Sequence, residues 1–560
     1  MIYCKSQATM PTDFLKKGLS MLLRRQTNIL SAAFVIMITI ILSQVLGLVR
    51  QRLLASIFGA SNTLGVYLAS SRLPDFLFQL IIAGALSSAF IPIFSGFLAK
   101  NKKQDAYKLG STLITFSLLL FIVLGFVLFI FADYFSKLMA PGFSPPQISL
   151  MGNLTRIIIF GELLFIIGSF LSAILQSYNR FFISGIAAAL YNLGIILGIV
   201  FLSPFLGIYS AAYGVILGAL IFVLAQIPSI KKVGFSFKPS FSLKDSGVME
   251  VINLMWPRTL GIGIFQLGTV ATVTLVSFLP NPGRNYVIFD YAQILSFAPI
   301  VLFGQSIAQA AFPMLSKEKD DLLEFRTIFT TSFNQILYLM LPISALFLVL
   351  RIPIVRLIFG AGAFDWQATV LTGRTLAFFS ISLFAQGLVY LVARGFYALH
   401  DAKTPLYVGA FSTALMLGLG FLFISVYHLG VEGIAFAFSL GNIINFLLLF
   451  IFLDKKVKFD KISMSISIGK IFIATFFTGF ALYIPIKLLD QLVFDTTKTI
   501  NLIILTGIAS LAGLSLYLFL TWVFNVEEAK TFLLLFRRVG NWKEVLGKSE
   551  EIIDGSHFNP

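Results

Sequence analysis

The sequence is poor in charged residues and in the side chains that bind metals or form cross-links. Only 12% of its 560 residues are charged, whereas soluble globular proteins have roughly 25%. Cys4 is the single cysteine, which excludes an intrachain disulfide. The three histidines, His400, His428 and His557, argue against a histidine-based zinc site. Phosphate loops, HExxH motifs and nucleophile–base pairs are also absent, so we predict neither a cofactor nor an enzyme.

Apolar residues are abundant instead. Hydrophobic residues make up 58% of the chain, 61 of them phenylalanine, and the mean hydropathy is +0.93. A soluble core cannot bury this much apolar surface, but a bilayer can. The sequence therefore predicts an all-α polytopic membrane protein.

The apolar runs predict about fourteen transmembrane helices, since a spanning helix needs about 20 mostly apolar residues. The second, eighth and tenth runs are too long for one straight span, so we expect them to be kinked, tilted or extended. The runs lie near 29–50, 61–99, 109–136, 147–176, 181–205, 209–230, 249–280, 285–315, 324–350, 366–399, 404–428, 432–453, 466–489 and 499–525.

The net charge of +16 is explained by loop topology. In a soluble chain this excess would suggest nucleic acid, but in a polytopic protein lysine and arginine collect in cytoplasmic loops. Loops 100–108, 231–244 and 455–461 are rich in lysine, whereas 137–146 and 428–431 have few or no basic residues. This alternation predicts a multi-pass protein with both termini in the cytoplasm and no nucleic-acid partner.

An internal repeat relates the two halves of the chain. Residues 89–95 recur at 311–316, where Pro92 and Pro313 are 221 residues apart, and residues 206–208 recur at 429–431, which is an offset of 223. Six runs separate the copies, so the repeat preserves orientation and predicts two parallel six-helix lobes plus two extra C-terminal helices. The predicted domains are an amphipathic cytoplasmic segment at 1–28, an N-lobe at 29–230, a cytoplasmic linker at 231–248, a C-lobe at 249–453, the two extra helices at 454–525 and a cytoplasmic tail at 526–560.

The first segment admits a second interpretation. A cleaved signal peptide also places basic residues before an apolar run. No small-residue cleavage site is visible, and the repeat requires the first helix, so we favour a helix that lies on the inner leaflet.

Charged residues at membrane depth are the candidates for function. Arg50 ends the first run and Arg72 lies in the second, in which Pro74 and Gly84 predict a break that often accompanies transport sites and gates. The alternative for arginines at this depth is that they snorkel to the headgroup layer. For Arg52, snorkelling and a functional role are equally favoured. Glu162 fits either an ion pair with another helix or a proton relay. Arg258 and Arg394 lie within the seventh and tenth runs.

Both halves of the chain contain distinctive motifs. They are S-Q-V-L-G-L-V-R at 43–50, I-F-G-A at 57–60, R-L-P at 72–74, G-A-L-S-S-A-F-I-P at 84–92, A-R-G-F-Y-A-L at 393–399 and D-A-K-T-P at 401–405. Together they resemble the motifs of the MurJ/MviN lipid II flippases, and the resemblance covers about 29–525. The chain departs from the family pattern where family charges are replaced by Gln44, Gly65, Ala83 and Ile294. Of the family's cavity arginines only Arg50 clearly remains, so either Arg72, Arg258 or Arg394 substitutes or the substrate headgroup differs.

The resemblance implies a function. It implies a V-shaped cavity with alternating access, in which Arg50, Arg72, Arg258 and Arg394 bind the pyrophosphate of a lipid-linked peptidoglycan precursor. It also implies a groove for the polyprenyl tail at 454–525, a bacterial plasma membrane location, and membrane lipids and cell-wall synthesis machinery as partners. An exporter of another lipid-linked oligosaccharide or of a drug is the alternative, and a membrane glycosyltransferase is the third.

Overall fold

The structure, a computed structural model, describes residues 29–83, 89–242, 245–492 and 498–530. Side chains are not described at 29–35, 83, 254, 256–258, 260, 265 and 490–492. Every regular element in the described ranges is helical, which confirms the all-α prediction. The predicted amphipathic segment at 1–28 and most of the predicted tail at 526–560 lie outside the described residues.

The described residues divide into two compact units. The first comprises the described chain up to Ile288 together with Ile358–Ala368, and the second comprises Phe289–Leu357 and the described chain from Thr369 onward. The predicted boundaries of the two lobes stay predictions.

The helices of the first part of the chain include three short helices and a π-helical turn between the first and second long helices. They are α1 (Ile29–Phe58), α2 (Asn62–Ser70), α3 (Arg72–Phe78), π1 (Gln79–Ala83), α4 (Ile91–Ala99), α5 (Lys103–Ile130), α6 (Ala132–Met139), α7 (Pro145–Ser177), α8 (Phe181–Leu206), α9 (Tyr209–Val233), α10 (Ser246–Ser277) and α11 (Pro282–Pro299).

The remaining helices follow a second π-helical turn. They are π2 (Ile300–Gln305), α12 (Ser306–Lys317), α13 (Leu322–Val349), α14 (Arg351–Phe359), α15 (Trp366–Ser380), α16 (Leu383–Ala398), α17 (Lys403–Ser425), α18 (Val431–Val457), α19 (Lys461–Leu492) and α20 (Thr499–Val523).

Eleven helical segments in the described residues are long and apolar enough to cross a membrane, and the bent pair α15–α16 makes a twelfth. This pair bends by 43°, and π2 interrupts the run at 285–315, so both long runs are interrupted as predicted. The runs at 61–99 and 249–280 also contain helices, but residues 84–88 and several side chains there are not described. The count of fourteen therefore stays a prediction.

The internal repeat extends to helix geometry. The π1 turn begins at Gln79 and the π2 turn at Ile300, which are 221 residues apart, the same offset as Pro92 and Pro313 in the repeated motif. A π-helical turn adds one residue to a helical turn and is often found at functional sites. The repeat thus places the same local distortion in the second and the eighth run.

Three connecting segments of the first unit contact one another. We call these residues, 56–65, 280–286 and 358–368, the elbow cluster. Arg284 donates to both carboxylate oxygens of Asp365 at 3.0 Å, and the Ala363 amide donates to the Ser56 carbonyl at 2.8 Å. Burial opposes ionisation of Asp365, but hydrogen bonds from Arg284 and the Ala368 amide lower the pKa of its carboxyl. The cluster fixes the turn between α1 and α2 against the start of α11.

The D-A-K-T-P motif has a structural role in the second unit. Asp401 accepts hydrogen bonds from the Lys403 and Thr404 amides, which caps α17, and it pairs with Lys456 at 2.5 Å. Although burial opposes ionisation, the lysine and Thr404 hold the pKa of the Asp401 carboxyl well below its usual value. The motif therefore starts a helix and attaches it to the end of α18.

Candidate substrate-binding site

The break in the second run positions the first group of candidate residues. Pro74 has no N–H, so the Ser70 carbonyl lacks its usual helical donor, and α2 ends at Ser70. The Thr155 hydroxyl of α7 donates to that carbonyl at 3.1 Å instead. Helix α3 then begins at Arg72, with Asp75 in its first turn. The run is thus divided at Ser71, and the Ser70 carbonyl is hydrogen-bonded to a neighbouring helix.

Arg72 is held in place by an aromatic side chain. Its Nε donates to the Tyr286 hydroxyl at 2.7 Å, and its guanidinium carbon lies 5.9 Å from the centre of the same ring. Tyr286 is buried, with 2% of its surface exposed. Because the tyrosine is fixed, the direction of the guanidinium is fixed as well.

Arg50, near the end of α1, lies in the same unit and is partly buried. It interacts electrostatically with Asp75 of α3, Tyr67 of α2 and Tyr191 of α8. Over the described ranges, no carboxylate forms a salt bridge with its guanidinium. A partly buried guanidinium without a salt bridge is costly unless an anion compensates it, so this side chain is suited to an anionic ligand.

Two acids lie near these arginines. Asp75 of α3 and Glu162 of α7 interact electrostatically, and Glu162 has 6% of its surface exposed. The described residues show no salt bridge to Glu162, and its role stays a prediction. Arg156 pairs with Asp133 at 2.9 Å.

The other predicted site residues are not brought together with this group by anything in the described structure. Arg394, in the second unit, lies 5.1 Å above the Phe312 ring. The side chain of Arg258 and all of Gly84 lie outside the described residues. Arg52 is exposed and donates to the Ile358 carbonyl at 3.3 Å. The roles assigned to Arg50, Arg72, Arg258 and Arg394 in binding, and to Pro74 and Gly84 in gating, stay predictions.

The sequence alone did not indicate that Tyr286 contacts Arg72 or that Asp75 lies near Glu162. Tyr286 is 214 residues from Arg72, and the two acids lie on different helices, so neither pair has a local spacing signal. The one available signal was the presence of two acids in otherwise apolar runs.

The sequence is similar to those of known proteins. The family model described as lipid II flippase MurJ matches residues 54–503. A probable lipid II flippase MurJ of Buchnera aphidicola from Acyrthosiphon pisum is 31% identical over 75% of this chain and 83% of its own length. The lipid II flippase MurJ of Burkholderia cenocepacia is 29% identical over 74% of this chain and 82% of its own.

Solved structures agree on the fold. Lipid II flippase MurJ in an inward closed conformation superposes with a TM-score of 0.73 at 24% identity, covering 88% of this chain and 98% of that one. An inward-facing multidrug resistance transporter of the MATE family has a TM-score of 0.61 at 14% identity, covering 74% and 94%. The helical breaks, the parallel repeat and the match over most of the chain agree: this multi-pass membrane protein belongs to the lipid II flippase MurJ family.

Proposed function

We propose that this chain moves lipid II from the inner to the outer leaflet by alternating access. The observation that carries the proposal is the partly buried Arg50, which forms no salt bridge in the described residues and lies in one unit with the oriented Arg72. A guanidinium matches phosphate oxygens with two parallel hydrogen bonds. Two arginines on different helices suit the pyrophosphate that joins the glycan to the polyprenyl chain. Family membership favours a transporter over the glycosyltransferase alternative.

Depletion of a cell's own lipid II flippase tests this function. Expression of the chain should restore growth and normal shape, because the depleted cell lacks only the transport step. A variant that folds but has lost Arg50 should not restore them. Failure of the wild-type chain, expressed at a normal level, would count against lipid II and favour another lipid-linked oligosaccharide.

The orientation in the membrane is a further part of the proposal. We place both termini in the cytoplasm of a bacterium, in its plasma membrane, because the lysine-rich loops alternate with lysine-poor ones. In a Cys4→Ser background, Lys238→Cys and Lys455→Cys should react with a membrane-impermeant thiol reagent only after permeabilisation. Pro141→Cys should react in intact cells, and the reverse pattern would overturn this orientation.

We also propose that α19 and α20 form a groove for the polyprenyl tail. Phe472, Phe476 and Phe480 are exposed and lie four residues apart on one face of α19, and the rings of Phe476 and Phe480 are 5.2 Å apart. Helix α20 is fixed beside them, since Leu482 packs closely on Gly513. Aromatic contacts of this kind contribute about 0.5–1.5 kcal/mol each.

Replacing the three phenylalanines with leucine tests the groove, because leucine keeps the surface lipid-compatible. The triple variant should transport about tenfold less lipid II, which corresponds to roughly 1.4 kcal/mol. The control is Phe201→Leu with Phe205→Leu, two exposed phenylalanines of α8 in the first unit. Equal transport by the two variants would show that the α19 stripe contacts only bulk lipid.

The partners follow from the substrate. We propose that the protein receives its lipid-linked precursor from the membrane enzymes that complete the precursor and delivers it to the cell-wall synthesis machinery outside. Transport of the precursor between these partners needs no covalent bond to the chain.

A further inference from the structure

Tyr286 has no role in the function proposed above, although it contacts one of the two arginines assigned to the pyrophosphate. Its hydroxyl accepts a hydrogen bond from Arg72 Nε at 2.7 Å, and its ring centre lies 5.9 Å from the guanidinium carbon. Only 2% of the tyrosine surface is exposed, whereas Arg72 is only partly buried. The tyrosine is therefore enclosed by protein, and the arginine that it contacts is accessible to a ligand.

The hydrogen bond determines which edge of the guanidinium can meet a phosphate group. A guanidinium can present two parallel donors either from its Nε–Nη2 side or from its Nη1–Nη2 end. In Arg72 the Nε donor is used by Tyr286, so a bidentate contact with a phosphate has to use the Nη1–Nη2 end. A guanidinium that is already held also loses less conformational entropy when a ligand binds. The tyrosine thus selects the edge and lowers the entropic cost of binding.

The elbow cluster determines where Tyr286 lies. The tyrosine follows the start of α11 by about one turn, and at that start the Arg284 amide donates to the Asn62 side chain at 3.1 Å. The backbones of Gly65 and Gly283 also touch, since a Cβ at Gly65 would lie 1.9 Å from the Gly283 carbonyl oxygen. These contacts hold the start of α11 against α2, which directly precedes α3. The tyrosine is thereby held beside the start of α3.

We propose that Tyr286 is a positioning residue for pyrophosphate binding, and that the elbow cluster sets the affinity of Arg72 through it. The tyrosine acts through the arginine, because its hydroxyl holds the guanidinium in one orientation. An arginine that is not held samples many rotamers, and ordering them opposes binding. Loss of the hydroxyl therefore weakens binding without removing any charge from the site. This inference rests on the proposed function and adds the framework that orients one of its arginines.

The experiment is a double-mutant cycle on the binding of a short-chain prenyl pyrophosphoryl sugar to the full purified chain. Tyr286→Phe keeps the ring but removes the hydroxyl, and Arg72→Gln removes the guanidinium. Alone, Tyr286→Phe should raise Kd about tenfold, the effect of losing a hydrogen bond that involves a charged group. In the Arg72→Gln background the same change should leave Kd unaltered, because no guanidinium is left to orient.

Two further variants separate positioning from stability. Tyr107→Phe removes a tyrosine hydrogen bond of the same length, 2.7 Å to a backbone carbonyl, elsewhere in the first unit. It should lower the thermal unfolding midpoint without changing Kd. Asn62→Ala removes a hydrogen-bond acceptor of the elbow cluster, so it should raise Kd about threefold when Arg72 is present and leave it unchanged in Arg72→Gln. This variant decides the question if Tyr286→Phe does not fold.

The outcomes for the inference and for the proposed function differ. The inference is wrong if Tyr286→Phe raises Kd equally with and without Arg72, since the hydroxyl would then act on the fold or directly on the substrate. It is also wrong if Tyr286→Phe or Asn62→Ala binds like wild type. If Arg72→Gln binds like wild type, the inference fails but the proposed function does not, because Arg50 carries it. If folded wild type does not bind the probe, the proposed function itself fails.

Discussion

Arg50→Ala should abolish lipid II transport while the protein is made and inserted normally. The side chain forms no salt bridge in the described structure, so its removal leaves no buried acid without a counter-ion there. The substrate, by contrast, loses a bidentate, charge-assisted contact. We expect a loss of about 3 kcal/mol in binding, which is roughly a hundredfold.

Arg50→Lys and Arg52→Ala are the matched variants. Lysine restores the charge but not the two parallel hydrogen bonds, so it should recover only part of the transport. Arg52 lies on the same helix and is exposed, so Arg52→Ala should transport nearly as well as wild type. Transport assayed in proteoliposomes at equal protein content measures all three. If Arg50→Ala matches Arg52→Ala, the pyrophosphate binds elsewhere.

Gly65→Ala should have the second largest effect, through packing in the elbow cluster. A Cβ at Gly65 would lie 1.9 Å from the carbonyl oxygen of Gly283, and one at Gly283 would lie 2.4 Å from the carbonyl oxygen of Asn62. The clash is with backbone, so it is not relieved by a rotamer change. Overpacking costs typically 1–3 kcal/mol, and we expect about 3 kcal/mol in the free energy of unfolding and loss of transport.

Gly96→Ala is the control for this substitution. Gly96 lies inside α4 and has open space around its Cα, and alanine is favoured over glycine in a helix by about 1 kcal/mol. The thermal unfolding midpoint of the purified protein should therefore fall for Gly65→Ala and stay level or rise for Gly96→Ala. If the two variants have the same unfolding midpoint, α2 and α11 can move apart at this contact without loss of stability.

The same contact explains one departure from the family pattern. The family has an acid at the position of Gly65, but here the Gly283 backbone occupies the space that any side chain would need. A charged side chain at this position would clash with the Gly283 backbone in this chain. The missing charge does not by itself indicate a different substrate.

The sequence predicted those features that depend on local signals. Hydropathy located the long runs, and the lengths of the eighth and tenth runs predicted that neither is one straight helix. The two π-helical turns have the same offset as Pro92 and Pro313 in the repeated motif. Each of these follows from residues close together in the chain.

Long-range pairings could not be predicted in this way. Arg284 and Asp365 are 81 residues apart, and the hydrogen-bond partner of Arg72, Tyr286, lies on another helix. Which side chains meet depends on the rotation and depth of each helix, and an apolar run sets neither. The sequence therefore identified Arg50 and Arg72 as candidates, while their surroundings came only from the structure.

Redistribution of lipid II in proteoliposomes tests the central claim most directly. Lipid II is incorporated with the purified chain, and the fraction exposed outside is followed with a reagent that cannot cross the bilayer. If the chain moves lipid II through a site that contains Arg50, wild-type protein should make the enclosed lipid II accessible without any covalent change to it. Arg50→Ala protein should not. The proposed function would be contradicted if lipid II stayed enclosed with folded wild-type protein. It would also be contradicted if lipid II became equally accessible with Arg50→Ala protein.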